Sequence, residues 1–496
     1  LVPGLGSVRC AVVPDMAVVG RMGSSVFNLA ILIVLDLLNR DEPIFVRAHQ
    51  GNMLAAGFGI VLIGWAGMTV MLANQTENRD LGHRATFFVT SFGWLSIGAF
   101  SALPFAFSQL DMNYTDAFFE AMSGVTTTGG TVMVGLDRAP PGILLWRSLL
   151  QWVGGIGIIV TAVAILPFLR VGGMQLFRTE STDKTEKVLP RPGQIAVAIG
   201  EVYLLLTLLC ALAYIVGGMT PFDALNHAMT TVATAGFSTH DASFGYFDNS
   251  FIHWTGTIFM ISGAVPLALY VQTLRGAGEK IWDDPQVRGF ITLLASVSVV
   301  MALWLTARGD FDFFQALTHT AFNVTSIVTT SGFASDDYQL WGPFATMSFF
   351  VLMFIGGCTG STAGGMKIFR LQILAILFRT QVRQTLYPHV AQTLRYGERT
   401  VSREIVFSVA LFVFVYLASM LVVALALAAF GLDFITALSS AVTAIANVGP
   451  GLGPIAGPAG NFPTLPDAPT LLLAFAILPA PLDLLTTLAT FPHHLW

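Results

Sequence analysis

Asp116-Ala-Phe-Phe-Glu-Ala-Met-Ser-Gly-Val-Thr-Thr-Thr-Gly129 is followed along the chain by three more segments of the same design. They are Asp223-Ala-Leu-Asn-His-Ala-Met-Thr-Thr-Val-Ala-Thr-Ala-Gly236, His319-Thr-Ala-Phe-Asn-Val-Thr-Ser-Ile-Val-Thr-Thr-Ser-Gly332 and Thr436-Ala-Leu-Ser-Ser-Ala-Val-Thr-Ala-Ile-Ala-Asn-Val-Gly449. Each reads as about three helical turns of small and apolar residues ending in a short tract and one glycine. Aligned on that glycine, the tracts are Thr126-Thr127-Thr128-Gly129, Ala233-Thr234-Ala235-Gly236, Thr329-Thr330-Ser331-Gly332 and Ala446-Asn447-Val448-Gly449. One such tract alone is usually a helix end or a turn. Four in one register form an internal repeat and predict fourfold pseudosymmetry about an axis.

Outward from these segments the chain is strongly apolar. Of 496 residues, 54% are apolar and 11% charged, where a soluble domain carries about 25% charge; the mean hydropathy is +0.71. The excess falls in blocks of bilayer-crossing length, at residues 18–38, 53–73, 85–107, 142–169, 194–216, 253–273, 289–306, 344–377, 404–430 and 469–488. The last eight form four pairs, and each pair encloses one quoted segment. The expected fold is an all-α polytopic membrane protein of about ten transmembrane helices. Four pseudo-symmetric helix–re-entrant pore loop–helix repeats surround a central pore. The expected divisions are an N-terminal two-helix segment at 1–80 and repeats at 81–170, 171–276, 277–380 and 381–496.

Charge orients the repeats. Between paired helices the chain has only Arg138 from Ser108 to Pro141, only Arg308 from Ala307 to Pro343, and no Lys or Arg from Gly217 to Ile252 or from Gly431 to Ala468. The links between pairs are basic, with Arg170, Arg178, Lys184, Lys187 and Arg191 in the first and Arg275, Lys280 and Arg288 in the second. Lys367, Arg370, Arg379, Arg383, Arg395, Arg399 and Arg403 surround the third. The positive-inside rule puts these links in the cytoplasm and the four segments outside. The net charge of −5 and the lack of a basic stripe argue against nucleic-acid binding. Cys10, Cys210 and Cys358 are scattered, and no histidine has a ligand spacing, so neither a disulfide framework nor a metal cluster is expected.

A monovalent cation filter needs backbone oxygens held where they replace the ion's water, on a chain free of steric limits on φ. Gly129, Gly236, Gly332 and Gly449 meet that need once per tract. The preceding short helices would aim their negative C-terminal ends at the ion. Acidic residues of the outer segments, Asp111, Asp137, Asp241, Asp310, Asp336, Asp337 and Asp467, would concentrate cations at the mouth. Glu120, inside the first short helix, is expected to hold loop backbone by hydrogen bonds. The block at 344–377 is too long for one span and holds the glycine-dense stretch Gly356-Gly-Cys-Thr-Gly-Ser-Thr-Ala-Gly-Gly365. Such backbone survives at membrane depth only where protein buries it or water lines it. A phosphate-loop reading fails, since Met366 separates glycine from Lys367 and Ile368 follows. The rivals are a pore that admits Na⁺ or NH₄⁺ as readily as K⁺, and a coupled transporter for another solute, whose repeats are usually two and often inverted.

The stretches Ala117–Gly129, Leu144–Ile158, Asn226–His240, Gly356–Arg370 and Asn447–Gly453 resemble, in order, those of the TrkH/KtrB/HKT family of cation transporters. The resemblance runs from about Ala85 to the end and more weakly before it. It implies that the four tracts are a K⁺ selectivity filter, glycine in all four going with K⁺ preference. It implies an intramembrane gate built on Gly356, Gly357, Gly360, Ser361, Thr362, Gly364, Gly365 and Lys367. A homodimer in the bacterial cytoplasmic membrane follows, with a cytoplasmic ring of nucleotide-binding regulatory subunits (TrkA). The segment Arg370–Arg403 is a candidate contact surface for that ring. K⁺ is then the transported ion, and neither an organic cofactor nor an enzymatic activity is expected. Two departures stand out. Ala480-Pro-Leu-Asp483, after Pro479, replaces the family's Gly-Arg-Leu-Glu-like sequence, and Val265-Pro266 replaces its usual Asn-Phe, which should change helix bending and not selectivity.

Overall fold

The computed structural model describes residues 83–108, 110, 112–165, 192–275, 281–387, 394–397, 399–458 and 465–478. The expected spans at 18–38 and 53–73, the basic link from Arg170 to Arg191, Lys280, Asp111 and the stretch from Pro479 to Asp483 lie outside them.

Repeat 1 runs through α1 (His83–Ser101), the short α2 (Leu103–Ala106), a pore helix α3 (Tyr114–Val125) and α4 (Pro141–Ile165). Repeat 2 has α5 (Pro192–Val216), the pore helix α6 (Pro221–Val232) and a second helix in two pieces, α7 (Ser250–Ala264) and α8 (Leu267–Leu274). Repeat 3 has α9 (Pro285–Arg308), the pore helix α10 (Phe313–Val328), α11 (Pro343–Leu352) and α12 (Ile368–Leu386). Between α12 and α13 sits a two-residue ladder of β1 (Arg395–Tyr396) and β2 (Arg399–Thr400). Repeat 4 has α13 (Arg403–Ala429), the pore helix α14 (Phe434–Ala446), α15 (Gly453–Ala456) and α16 (Asp467–Ile477). The fold is helical, as the periodicity requires.

Among the described residues, Pro141–Ile159, Gln194–Val216, Pro285–Arg308 and Arg403–Ala429 are each long and apolar enough to cross a bilayer, and the bent pair α7–α8 makes a fifth. The outer helices leave side chains such as Val197, Leu208, Leu212, Phe407, Phe414 and Leu421 uncovered. An apolar surface of that kind suits hydrocarbon, because every backbone group is already bonded inside the helix.

The pore helices are the buried elements. Three start at a capping side chain: Asn113 accepts from Asp116 N, Thr220 from Asp223 N, and Asp433 from Thr436 N. Asp312 holds the same position before α10 without such a bond. In repeats 2, 3 and 4 the leading helix packs on its own pore helix, α5 on α6, α9 on α10 and α13 on α14. Trailing helices reach the next repeat: α4 packs on α6, α7 on α10, and α16 on α3. The last contact joins the end of the described chain to its first pore helix and closes the bundle into a ring.

The block expected at 253–273 is bent by 89° at Val265-Pro266. Proline has no N–H for the Ser262 carbonyl, which accepts from the Tyr270 hydroxyl at 3.1 Å instead, and the bend that follows also takes the helical partners from the carbonyls of Gly263 and Ala264. The glycine-dense loop supplies new ones: Thr362 N donates to Gly263 O at 3.2 Å and Cys358 N to Ala264 O at 3.0 Å. Leu267 N, at the far side of the break, donates to Gly360 O at 3.2 Å. The block at 344–377 divides as its glycines required, into α11 and α12 with that loop between them.

Candidate functional site

All four tracts share one backbone conformation. The residue three before the glycine still has negative φ: Thr126 at −83°, Ala233 at −71° and Thr329 at −78°. The next residue is left-handed in every repeat: Thr127 at 60°, Thr234 at 51°, Thr330 at 57° and Asn447 at 62°. The closing glycine is left-handed again, at 82°, 88°, 79° and 94° for Gly129, Gly236, Gly332 and Gly449. Positive φ in a β-branched residue is a genuine outlier. Such strain persists only where the surroundings enforce it, and it gathers at functional sites. Three threonines share that strain at one register. The alternation ends each pore helix and turns the following N–H back toward it. Thr128 N bonds Ser123 O at 2.9 Å, Ala235 N bonds Thr230 O at 3.0 Å, Ser331 N bonds Ser326 O at 2.8 Å and Val448 N bonds Thr443 O at 3.0 Å.

The glycines then close a ring. A Cβ built on Gly449 would lie 2.6 Å from Thr128 O, and Cβ atoms on Gly129, Gly236 and Gly332 would fall closer still to Ala235 O, Ser331 O and Val448 O. Each glycine therefore abuts the carbonyl just before the glycine of the next repeat, in the order 1–2–3–4–1. No side chain fits at any of the four places. An open vestibule above the ring is lined by the same four glycines with Gly130, Thr131, Phe237, Ser238, His240 and Asp241.

Buried polar side chains hold this ring. Asn447 donates to Thr126 O at 3.0 Å and Thr127 O at 3.2 Å, and its Oδ1 accepts from the Thr128 hydroxyl. Glu120 and Arg147 are both fully buried and form an ion pair at 2.7 Å. The Glu120 carboxylate also accepts from Val132 N and Thr131 Oγ1, each at 3.0 Å. Arg147 donates to Ser238 O at 2.9 Å and covers the Phe237 ring at 4.0 Å. This pair thus ties the backbone after Gly129 to the backbone after Gly236. At the mouth, His240 bonds Asp137 at 2.5 Å, lies 3.6 Å from Asp223 and stacks on Tyr246 at 3.5 Å. Burial pulls the His240 pKa down, but the two carboxylates outweigh it and the net shift is upward. The hydrogen bond from His240 holds the Asp137 carboxyl below its usual range.

Beneath the ring lies the loop from Gly356 to Lys367. Gly356 N bonds Met366 O at 2.8 Å, Ile368 N bonds Gly357 O at 3.1 Å and Ser361 Oγ bonds Cys358 O at 2.6 Å. The Lys367 ammonium folds back onto the Ala363 carbonyl. Thr362 Oγ1 accepts from Thr234 Oγ1 at 3.0 Å and lies 3.0 Å from Gly263 O. Gly364 N donates to Thr330 Oγ1 at 2.6 Å, and a Cβ on Gly364 would lie 2.6 Å from Asn447 Cβ. Gly365 has φ 66°, and a Cβ there would press Thr330 Cγ2 at 3.3 Å. The loop therefore touches the left-handed residue of three tracts at once.

Residues 56–491 match the family described as TrkH, cation transport protein. This chain belongs to the TrkH family. It is 43% identical over 469 residues to the Trk system potassium uptake protein TrkI of Halomonas elongata, covering 94% of each chain. It is 38% identical over 455 residues to TrkH of Escherichia coli, covering 91% of this chain and 93% of that one. The crystal structure of the potassium transporter TrkH from Vibrio parahaemolyticus superposes with a TM-score of 0.84 at 33% identity, over 97% of this chain and 98% of that one. The protein is accordingly a multi-pass membrane transporter.

Within this TrkH-family chain the sixteen tract residues come together in one ring, and the eight loop residues from Gly356 to Lys367 lie on one side of it. Glu120 holds loop backbone, as its place in the short helix suggested. The tract hydroxyls bond the helix ends and one another, as Thr126 Oγ1 does to Met122 O at 2.7 Å and to Thr128 Oγ1 at 2.8 Å. Arg370 is a correction: it is 2% exposed beneath the Phe412 ring at 3.6 Å, so it cannot be part of a docking surface, whereas Arg379, Arg383, Arg395 and Arg403 are exposed. The repeat pattern assigns no role to Arg147 or Gln151. A positive charge and an amide four residues apart inside an apolar span were the available signal, since polar groups at membrane depth are rarely idle.

Proposed function

We propose that this chain carries potassium into the bacterial cell across the cytoplasmic membrane through a selectivity filter made by the tracts Thr126–Gly129, Ala233–Gly236, Thr329–Gly332 and Ala446–Gly449. The observation that carries this reading is the closed ring in which each glycine abuts the next repeat's carbonyl. A ring of backbone oxygens replaces the hydration of a cation without offering the soft ligands of a transition metal. The four pore helices end at the ring, each adding about half a negative charge. The relatives named above, TrkI and TrkH, are both potassium uptake proteins and agree in the choice of ion.

The loop from Gly356 to Lys367 acts as the gate in this proposal, because it lies against the left-handed residues of three tracts on a glycine-rich backbone that can change conformation at little steric cost. The protein works as a homodimer under a cytoplasmic TrkA-type nucleotide-binding regulatory subunit, and the exposed arginines of α12, Arg379 and Arg383, face that partner. The test is uptake of radioactive Rb⁺ by purified protein in liposomes, with external K⁺ or Na⁺ as competitor. K⁺ should suppress uptake at far lower concentration than Na⁺. Equal suppression by both ions would mean a pore without K⁺ preference, and absence of Rb⁺ uptake even with the regulatory subunit and nucleotide would remove the cation reading.

A further inference from the structure

The four tracts are braced in two different ways, and the difference follows the diagonal of the ring. In repeats 1 and 3 each tract braces itself. Thr126 Oγ1 bonds Thr128 Oγ1 and Thr329 Oγ1 bonds Ser331 Oγ, both at 2.8 Å. Ser123 and Ser326, six residues before each glycine, bond the carbonyl just after it, at Gly130 (2.6 Å) and Phe333 (2.7 Å). Repeat 2 can do neither. It has Ala233 and Ala235 where the hydroxyl pair would be, and Thr230, in place of the serine, bonds its own helix at Asn226 O and His227 O, 3.1 Å each. Repeat 4 also lacks the pair, having Ala446 and Val448, but Asn447 cross-links it to repeat 1.

Repeat 2 is held instead from repeat 1, by one residue acting on different atoms of the tract. Gln151, fully buried on α4, donates through Nε2 to Ala235 O at 2.5 Å and accepts through Oε1 from Phe237 N at 3.0 Å. Its amide therefore straddles Gly236. Ala235 O is also the ring carbonyl against which Gly129 packs. We infer that Gln151 is a positioning residue for ion selectivity, which sets the Ala235 carbonyl in place of the hydroxyl brace that repeats 1 and 3 carry. The inference rests on the filter reading above. A group of the right length with both a donor and an acceptor is required, so an apolar side chain of equal size leaves the carbonyl free to turn.

The experiment compares K⁺/Na⁺ permeability ratios in liposomes for wild type, Gln151→Met, Gly236→Ser, and Gln151→Met combined with Ala233→Ser and Ala235→Ser. Loss of a brace worth one net hydrogen bond should lower the ratio about fivefold, while Rb⁺ flux per folded protein persists. The serine pair, which rebuilds the hydroxyl bridge of repeat 3, should return the ratio toward wild type. Should the methionine variant fail to fold, Gln151→Asn, which keeps a neutral amide but is one methylene too short to straddle Gly236, is read by the same criterion. A wild-type ratio in the Gln151 variant, alongside a lowered one in Gly236→Ser, overturns the inference and leaves the filter standing. If neither variant moves the ratio, the filter reading itself falls.

Discussion

Replacing Gly129 by serine tests the ring directly. A Cβ at this position would run into Ala235 O, more severely than the 2.6 Å found for Gly449 against Thr128 O. To reach an ordinary carbon–oxygen contact the carbonyl must retreat by roughly 1 Å. Serine would also have to hold φ 82°, which costs roughly 1–2 kcal/mol. Set against a typical total stability of 5–15 kcal/mol, that strain leaves a folded protein. Its effect on the ion is larger. An oxygen withdrawn from a bound cation forfeits an interaction comparable to a hydrogen bond with a charged group, about 1.5–3 kcal/mol. The K⁺ over Na⁺ preference should then fall roughly ten- to hundredfold. The assay is the permeability ratio in liposomes, with Gly309→Ser as control. Gly309 has the same φ of 82°, yet nothing lies within 4 Å of its absent Cβ, so the control carries the strain without the clash. An unchanged ratio in Gly129→Ser, or an equal loss in Gly309→Ser, would refute the argument.

Three further outcomes follow from the same geometry. Arg147→Met strands the buried Glu120 carboxylate and should cost about 3–5 kcal/mol, read as lost yield of folded protein, with Glu120→Gln added to the same chain restoring part of it. Thr362→Val removes the hydroxyl that ties the loop to Thr234 and Gly263; Rb⁺ flux without the regulatory subunit should rise severalfold, since one net hydrogen bond is worth about 1 kcal/mol, and unchanged basal flux would exclude a gating role for that tie. His240 has its pKa raised by Asp223 and Asp137 against the effect of burial, so its pairing stabilises fully below the ordinary histidine value near about 6.5 and is lost as pH climbs through the higher folded value. The melting temperature of purified protein should therefore drop as pH rises from that region, and His240→Asn should flatten the dependence.

The repeat and the residues of the ring were legible because they are written locally. A pore helix needs a cap, three turns of small residues and a stop, and these lie close together in each copy, from Asn113 to Gly129, Thr220 to Gly236, Asp312 to Gly332 and Asp433 to Gly449. The glycine was visible for the same reason, being the residue that tolerates left-handed backbone. The left-handed threonine two places before it was not, since nothing in its chemistry asks for φ near 60°; packing against the helix end and the loop below imposes it. The break at Val265-Pro266 was visible as a bend, but not its use. Only the folded chain shows that the carbonyls released there receive the N–H groups of the loop some ninety residues later.

What the amino-acid order settled alone was periodic and short-range: apolar blocks of bilayer length and four helix–tract units. Tertiary structure decided which atoms meet. It placed each glycine against the carbonyl of the following repeat, buried Arg370 beneath Phe412, and assigned Gln151 to a tract more than eighty residues away. A sequence pattern can require a glycine, because φ is a property of one residue. It cannot say what the missing side chain would have struck, because that neighbour arrives from another part of the chain.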